Sequence, residues 1–398
     1  MNILIIHEVD WLKKVTYEIH HLSELFSLNG HNVFAVDVPD PGLLSIDKKN
    51  YQTLHNYHRV YPDASITLFR TPTIPIKGVN RISAYHFSYR FIKKILKNQK
   101  IDVVLLYSVV TNAKATVKAC KELNIPIIHR TFDIIHDLIR ENYLRNRVLS
   151  LEKLVYPQFD KVISNTPYMK KWAIDMGSTN VDIIPQGVDP KIMKFLDTDK
   201  ELQNELKLND GDDVIMYLGS IESFSGLDVF VKKIPYILEK ISNFKLLVVG
   251  GGSHLENIKQ VVEKIGIKNC VIFTGFKPYT DVPRYCSLAK LCINTFEIND
   301  MTDRLSPVKV FDLQACAIPS LVTPLRGLLH DFPEDECGLI YSKIEEFPDK
   351  IISLLENKKK LKVKGELGLK FIKENFTWNK AAEKWINEFE LIIQNIKN

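Results

Sequence analysis

The chain has 398 residues, 45% hydrophobic and 25% charged, with a net charge of +5. That is ordinary for a soluble globular protein of two or three domains, and the lack of any apolar run near ~20 residues excludes a membrane-spanning helix. The six cysteines, at 120, 270, 286, 292, 316 and 337, form no C-x-x-C and no metal-ligand spacing, so they read as small core residues in a reducing cytosol.

Met1-Asn2-Ile3-Leu4-Ile5-Ile6-His7 has no basic leader and no cleavage site, and reads as a first buried strand rather than a signal peptide. Further apolar runs at 33–38, 101–107, 125–129, 161–164 and 181–184 read as strands, separated by helical stretches such as 15–28 and 111–123. The second half repeats the pattern. Strands are expected at 214–218, 245–249, 271–274, 291–294, 318–323 and 338–341, and helices at 226–240, 255–265, 282–288 and 307–316. Strands alternating with helices imply parallel sheets covered on both faces.

The fold class is therefore α/β, with two Rossmann-like doubly wound domains facing across a cleft, where ligands bind in such folds. Residues 1–190 form the first domain and 191–374 the second. The polar segment 198–213 reads as the junction, and the helical period at 375–398 is expected to pack back on the first domain. Residues 1–190 hold 24 basic against 18 acidic side chains, so the positive charge sits in the first half.

The most informative stretch is Ser306-Pro307-Val308-Lys309-Val310-Phe311-Asp312. Ser306 reads as a helix cap and Pro307 as a first-turn proline. A helix start with spare N–H donors and a lysine in its first turn suits a phosphate. Asp312, three residues on, could hold a hydroxyl of the same ligand. On spacing alone the pair is more simply a solvated ion pair. Other features favour a nucleotide site. Gly219-Ser220 follows one strand, Gly250-Gly251-Gly252 the next, and Gly275-Phe276 a third, with Phe276 either flanking a base or filling the core.

Taken in order, these pieces resemble family-4 retaining glycosyltransferases of the GT-B fold over nearly the whole chain. Asn29-Gly30-His31-Asn32-Val33 is similar to the family's "G-H-x-V", and Ile184-Pro185-Gln186-Gly187-Val188-Asp189 to "I-P-N-G-V-D". Ser306 to Pro319 is similar to "S-P-x-K-x-x-E-x-x-A-x-G-x-P". The resemblance implies transfer of a sugar from a nucleotide diphosphate donor with retention. It sets Lys309 beside the donor phosphates, Asp312 on the ribose hydroxyls and Gly219 under the diphosphate. Three departures stand out. Ser220 and Ser225 occupy places where many relatives carry Arg and Lys. Asp312 replaces the second Glu of the family's Glu-x7-Glu pattern, and Arg304 stands where the first would be, with Asp303 adjacent. Gln186 and Ala317 replace the usual Asn and Gly. Lys309, helped by Arg304 or Arg326, would then carry most of the phosphate charge.

In the first domain, His129, Asp133 and His136 cluster after a strand and are the catalytic candidates on the acceptor side. The loop from His7 to Val15 lacks the family's glycine pair and could touch the acceptor instead. Residues 81–100 mix aromatics with bases. They fit either an amphipathic helix on an anionic membrane surface or a packed helix with a solvated basic face. The expected enzyme is a cytoplasmic hexosyltransferase, peripheral on the inner face of the cell membrane, using a nucleotide sugar and a glycan or lipid-linked acceptor. No cofactor, metal or nucleic acid is expected. The alternatives are an epimerase or hydrolase of sugar nucleotides on the same fold, and a non-catalytic partner of another transferase.

Overall fold

In the strand Asn2–Ile6 (β1), Ile3 and Ile5 enter one apolar layer and Leu4 and Ile6 the other. A strand is apolar on both faces where helices cover both sides of its sheet. The computed structural model describes residues 1–14, 16–40, 53–76, 78–139 and 141–397. Val15, where the first helix and the end of its preceding loop were expected, lies outside them. The chain divides into one unit of Met1–Pro185 with Trp378–Asn398, and a second of Gln186–Thr377.

The first unit continues with α1 (Glu18–Leu28), β2 (Asn32–Asp37), β3 (Leu54–Tyr57), β4 (Ile66–Arg70), α2 (Val79–Asn98), β5 (Val103–Leu106), α3 (Ala113–Leu123), β6 (Ile127–Thr131), α4 (Asn142–Val155), β7 (Lys161–Ser164), α5 (Pro167–Asp175) and β8 (Val181–Ile183). Its sheet runs β3-β4-β2-β1-β5-β6-β7-β8, and among these described strands only β3, at the edge, is antiparallel. Local chemistry sets the boundaries. Thr166 caps α5 by accepting the Met169 N–H, with Pro167 at its first position. β6 begins at Ile127, two residues later than expected, just past Pro126, which has no N–H for a ladder.

The second unit holds α6 (Lys200–Glu205), β9 (Asp213–Leu218), α7 (Leu227–Val231), α8 (Ile234–Lys240), β10 (Phe244–Val249), α9 (Leu255–Lys264), β11 (Val271–Gly275), α10 (Val282–Cys286), β12 (Leu291–Asn294), α11 (Val308–Ala315), β13 (Ser320–Val322), α12 (Arg326–Asp331), β14 (Leu339–Tyr341), α13 (Phe347–Glu356) and α14 (Lys358–Asn375). Its six strands are all parallel, in the order β11-β10-β9-β12-β13-β14. The strand order reverses between β9 and β12, the switch point where α/β sheets bind ligands. The helix expected at 226–240 is two, because Pro235 has no N–H to continue the first and starts α8. The expected junction 198–213 is a capped helix inside this unit: the Asp199 carboxylate accepts the Leu202 N–H at 2.9 Å.

The last helix, α15 (Trp378–Lys397), returns to the first unit. Its Trp378, Ala382, Trp385 and Phe389 share an apolar layer with Ile3, Ile5 and Phe26.

Candidate active site

Three glycine turns leave the carboxyl ends of β9, β10 and β11, and they are laced to one another. The Gly219 N–H donates to the Val249 carbonyl at 2.9 Å, the Ile221 N–H to Gly251 at 3.0 Å, and the Gly250 N–H to Gly275 at 3.0 Å. A Cβ on Gly250 would lie 2.0 Å from the Gly219 carbonyl oxygen, and one on Gly252 2.3 Å from that of Ile221. Gly250 and Gly252, in the run expected to admit a ligand, are thus first backbone-to-backbone contacts that no side chain permits, while Gly251 lies under the Phe276 ring. Gly219 is different: at φ +110° its Cα faces the Lys309 side chain, and a Cβ there would lie 3.2 Å from Lys309 Cδ.

Lys309 sits in the first turn of α11. Its ammonium lies 4.3 Å from the Tyr217 ring centroid and 4.2 Å from that of Phe296, and its buried Nζ has no hydrogen-bond partner among the described residues. Burial alone lowers its pKa to about 7. Ser306 does not cap the helix. Pro307 holds the cap position, and the Ser306 hydroxyl is buried without a partner among the described residues. The Asn294 amide, at the end of β12, is also buried, with neither atom paired among them. Unpaired buried polar atoms are rare in a folded chain, and these three residues lie between the end of β12 and the first turn of α11, from which Lys309 reaches Gly219 after β9.

Asp312 does not pair with Lys309. Its Oδ1 accepts the Tyr279 hydroxyl at 2.8 Å, and burial raises its pKa to about 7. Phe276 is 71% exposed and lies against Gly251, so it is no core aromatic. Ser220 is exposed, and its carbonyl accepts the Tyr217 hydroxyl at 2.8 Å. Ser225 is buried, its carbonyl held by the Thr295 hydroxyl at 2.7 Å. Of the suggested helpers, Arg326 is engaged elsewhere. Arg326 pairs with Asp303, whose Oδ1 also accepts the Arg326 N–H at 2.9 Å at the start of α12.

In the first unit the three candidates part company. His129 is a core residue, against expectation. Its Nδ1 lies 2.9 Å from the Leu106 carbonyl, its Nε2 3.2 Å from the Tyr156 hydroxyl, and its ring stacks on Phe159. Burial lowers its pKa to about 3, so it is neutral and closed off from any substrate. Arg130 is also buried, in a two-bond pair with Glu18 at 2.8 and 2.7 Å. Asp133 is exposed, two residues beyond β6. His136 is half-buried; its Nδ1 meets Glu152 Oε2 at 2.5 Å and its Nε2 lies 3.5 Å from Asp137. The Glu152 carboxylate also accepts the Ile135 N–H at 3.1 Å, and burial raises its pKa. Glu152 escaped the sequence reading because a lone glutamate on a helix carries no signal of its own.

Two family models match the chain: "Glycosyltransferase Family 4" over residues 18–192 and "Glycosyl transferases group 1" over 212–357. Residues 18–192 thus carry a glycosyltransferase family-4 domain and residues 212–357 a group-1 glycosyl transferase domain. The structural neighbours of the chain are GT-B transferases. Sucrose-phosphate synthase from Thermosynechococcus elongatus superposes with a TM-score of 0.75 at 15% identity, covering 99% of both chains. The Anabaena protein HepE, solved with UDP-glucose, gives 0.72 at 13% identity over 98% of this chain and 99% of that one. Among curated relatives, the alpha-monoglucosyldiacylglycerol synthase of Streptococcus pneumoniae is 23% identical over 57% of this chain and 54% of its own. The chain spans about half to three fifths of the length of the curated relatives it matches first.

Proposed function

We propose that this chain moves a hexose from a nucleotide diphosphate sugar to a lipid-linked or other surface-glycan acceptor, with retention at the anomeric carbon. One observation carries the reading: the buried, unbonded Lys309 ammonium facing Gly219 at the switch point. A departing diphosphate gathers negative charge in the transition state, and a cation already placed in a dry site stabilises it without reorganising water. The unpaired Ser306 hydroxyl is a second donor to the same phosphates, and the exposed Phe276 ring a platform for the base. Asp312, with Oδ1 held by Tyr279, is assigned to the ribose.

The UDP-glucose complex of the HepE neighbour makes uridine the first base to try, and the lipid product in the streptococcal relative's name supports a lipid acceptor. On the acceptor side we assign Asp133 and His136, the latter oriented by Glu152. The acceptor proton passes to the donor phosphate, as the family resemblance implies. Lys309 supplies the charge that a metal would otherwise bring, so turnover is expected to survive EDTA; its loss would contradict that point. A peripheral position at the inner face of the cell membrane is supported by α2. There Ile82, Tyr85 and Phe87 are exposed beside Arg90 and Lys94.

The test is Lys309→Ala, expected to fold normally and to lower turnover on the order of 100-fold, the scale of losing one transition-state donor. Near-normal turnover by the folded variant would sink the assignment. Isomerisation or stoichiometric hydrolysis of donor without acceptor would favour an epimerase or hydrolase instead.

A further inference from the structure

The loop after β1 and the start of α2 enclose a pocket of about 420 Å³ in the first unit. Beneath it lies a buried ionic knot. Arg70 pairs with Asp10 at 2.9 Å and with Asp37 at 2.8 Å. Asp10 also accepts the N–H groups of Leu12, Lys13 and Asp40 at 3.0, 3.1 and 2.8 Å, and Asp37 that of Trp11 at 2.8 Å. These bonds fix the loop and so fix where its two lysines stand.

Lys13, Lys14 and Arg81 line the wall. Lys13 donates to the Asp40 carbonyl at 2.5 Å and Arg81 to the Glu8 carbonyl. Backbone carbonyls leave both positive charges in place, and among the described residues no carboxylate pairs with either. Asp10 is matched by Arg70, so the wall sets three cations against Asp40. The first turn of α2 adds no acid. Such a wall suits a phosphate ester.

A second feature adjoins it. Ile74, Ile76, Val79 and Ile82 are 44, 58, 37 and 63% exposed, and Val79 and Ile82 belong to the same turn of α2 as the pocket's Asn80 and Arg81. Four exposed aliphatics beside a cationic pocket match an amphiphile better than a soluble sugar phosphate.

We propose that the Lys13/Lys14/Arg81 pocket seats the phosphate of a lipid-borne acceptor whose apolar part lies over Ile74, Ile76, Val79 and Ile82. Calling the occupant an acceptor rests on the transferase reading above; the binding site itself does not.

The test is co-sedimentation of the full chain with phosphatidylcholine vesicles, with and without phosphatidic acid, alongside titration with glycerol phosphate. Binding is expected to require phosphatidic acid. It should fall on the order of tenfold in Lys13→Gln/Arg81→Gln, two exposed positions whose loss leaves the fold intact by circular dichroism. Ile82→Ser should weaken vesicle binding without changing glycerol phosphate binding. Equal binding to both vesicles, or no effect of the double variant, would overturn the phosphate site. Glycerol phosphate binding as tight as vesicle binding, with Ile82→Ser silent, would overturn the lipid source. Lys309→Ala separates the two readings, since it should lose donor affinity and keep vesicle binding. A native chain that ignores every donor yet still needs phosphatidic acid would refute the transferase reading alone.

Discussion

A lysine and an aspartate three apart on a helix share a face, and most such pairs are weak surface contacts. Lys309 and Asp312 break that expectation because the two charges turn to different surroundings, one to aromatic rings and Gly219, the other to Tyr279. Each then lacks the opposite charge that would hold its pKa in place, and burial moves both to about 7. The folded pKa of Asp312 is raised, so its ionisation costs stability progressively from about pH 4 to about pH 7 and fully above. Asp312→Asn keeps an acceptor for Tyr279 and removes that cost. Thermal melts of the unliganded variant should therefore match or exceed the native protein at pH 8, while donor affinity falls. An unchanged donor Kd would remove Asp312 from the ribose.

The elements around the site were legible where a residue type had one physical use. Strand-glycine turns in parallel order announced the second unit's parallel sheet, and Pro307-Val308-Lys309 announced the start of α11. What the glycines do was not legible, because a close ligand and a close backbone ask for the same residue. Gly250 and Gly252 serve the backbone, whereas Gly219 faces Lys309. Gly219→Ala should cost about 1–2 kcal/mol from its left-handed backbone and should also push Lys309 aside. Chemical denaturation measures the first effect and donor titration the second; loss of stability with donor affinity intact would separate Gly219 from the site. His129 misled because a histidine among polar neighbours looks functional in one dimension. Only the fold reveals Leu106, Tyr156 and Phe159 closing over it. β3, β4 and Glu152 left no sequence signal strong enough to find them. The Asp10–Arg70–Asp37 knot joins the ends of three elements and is invisible without their pairing.

At the scale of the whole chain, the division into two units means that stability and donor binding can be perturbed separately. Trp385 is fully buried in the first unit's core, beside Phe389, which meets Phe26 edge-on at 5.3 Å. Trp385→Ala should cost about 3–5 kcal/mol, concentrated in the first unit. Calorimetric unfolding should show that unit melting early while added donor still raises the melting point of the second. Uniform destabilisation with lost donor binding would contradict the division of labour. The alternation of strands and helices, the two-fold repeat and the helical period of α15 were all legible at this scale, because periodicity survives where individual contacts do not.

In the proposed function Lys309 is the cation for the donor diphosphate. A nucleotide diphosphate sugar has no phosphate that titrates near neutrality, so calorimetry of its binding between pH 6 and 9 reports on the protein. With a free-state pKa of about 7, Lys309 must take up a proton to bind above that pH. The native chain should weaken by up to about tenfold per pH unit there, with measurable proton uptake, while Lys309→Met should bind weakly and without that slope. Equal affinity and an equal pH profile in the two proteins would contradict the account.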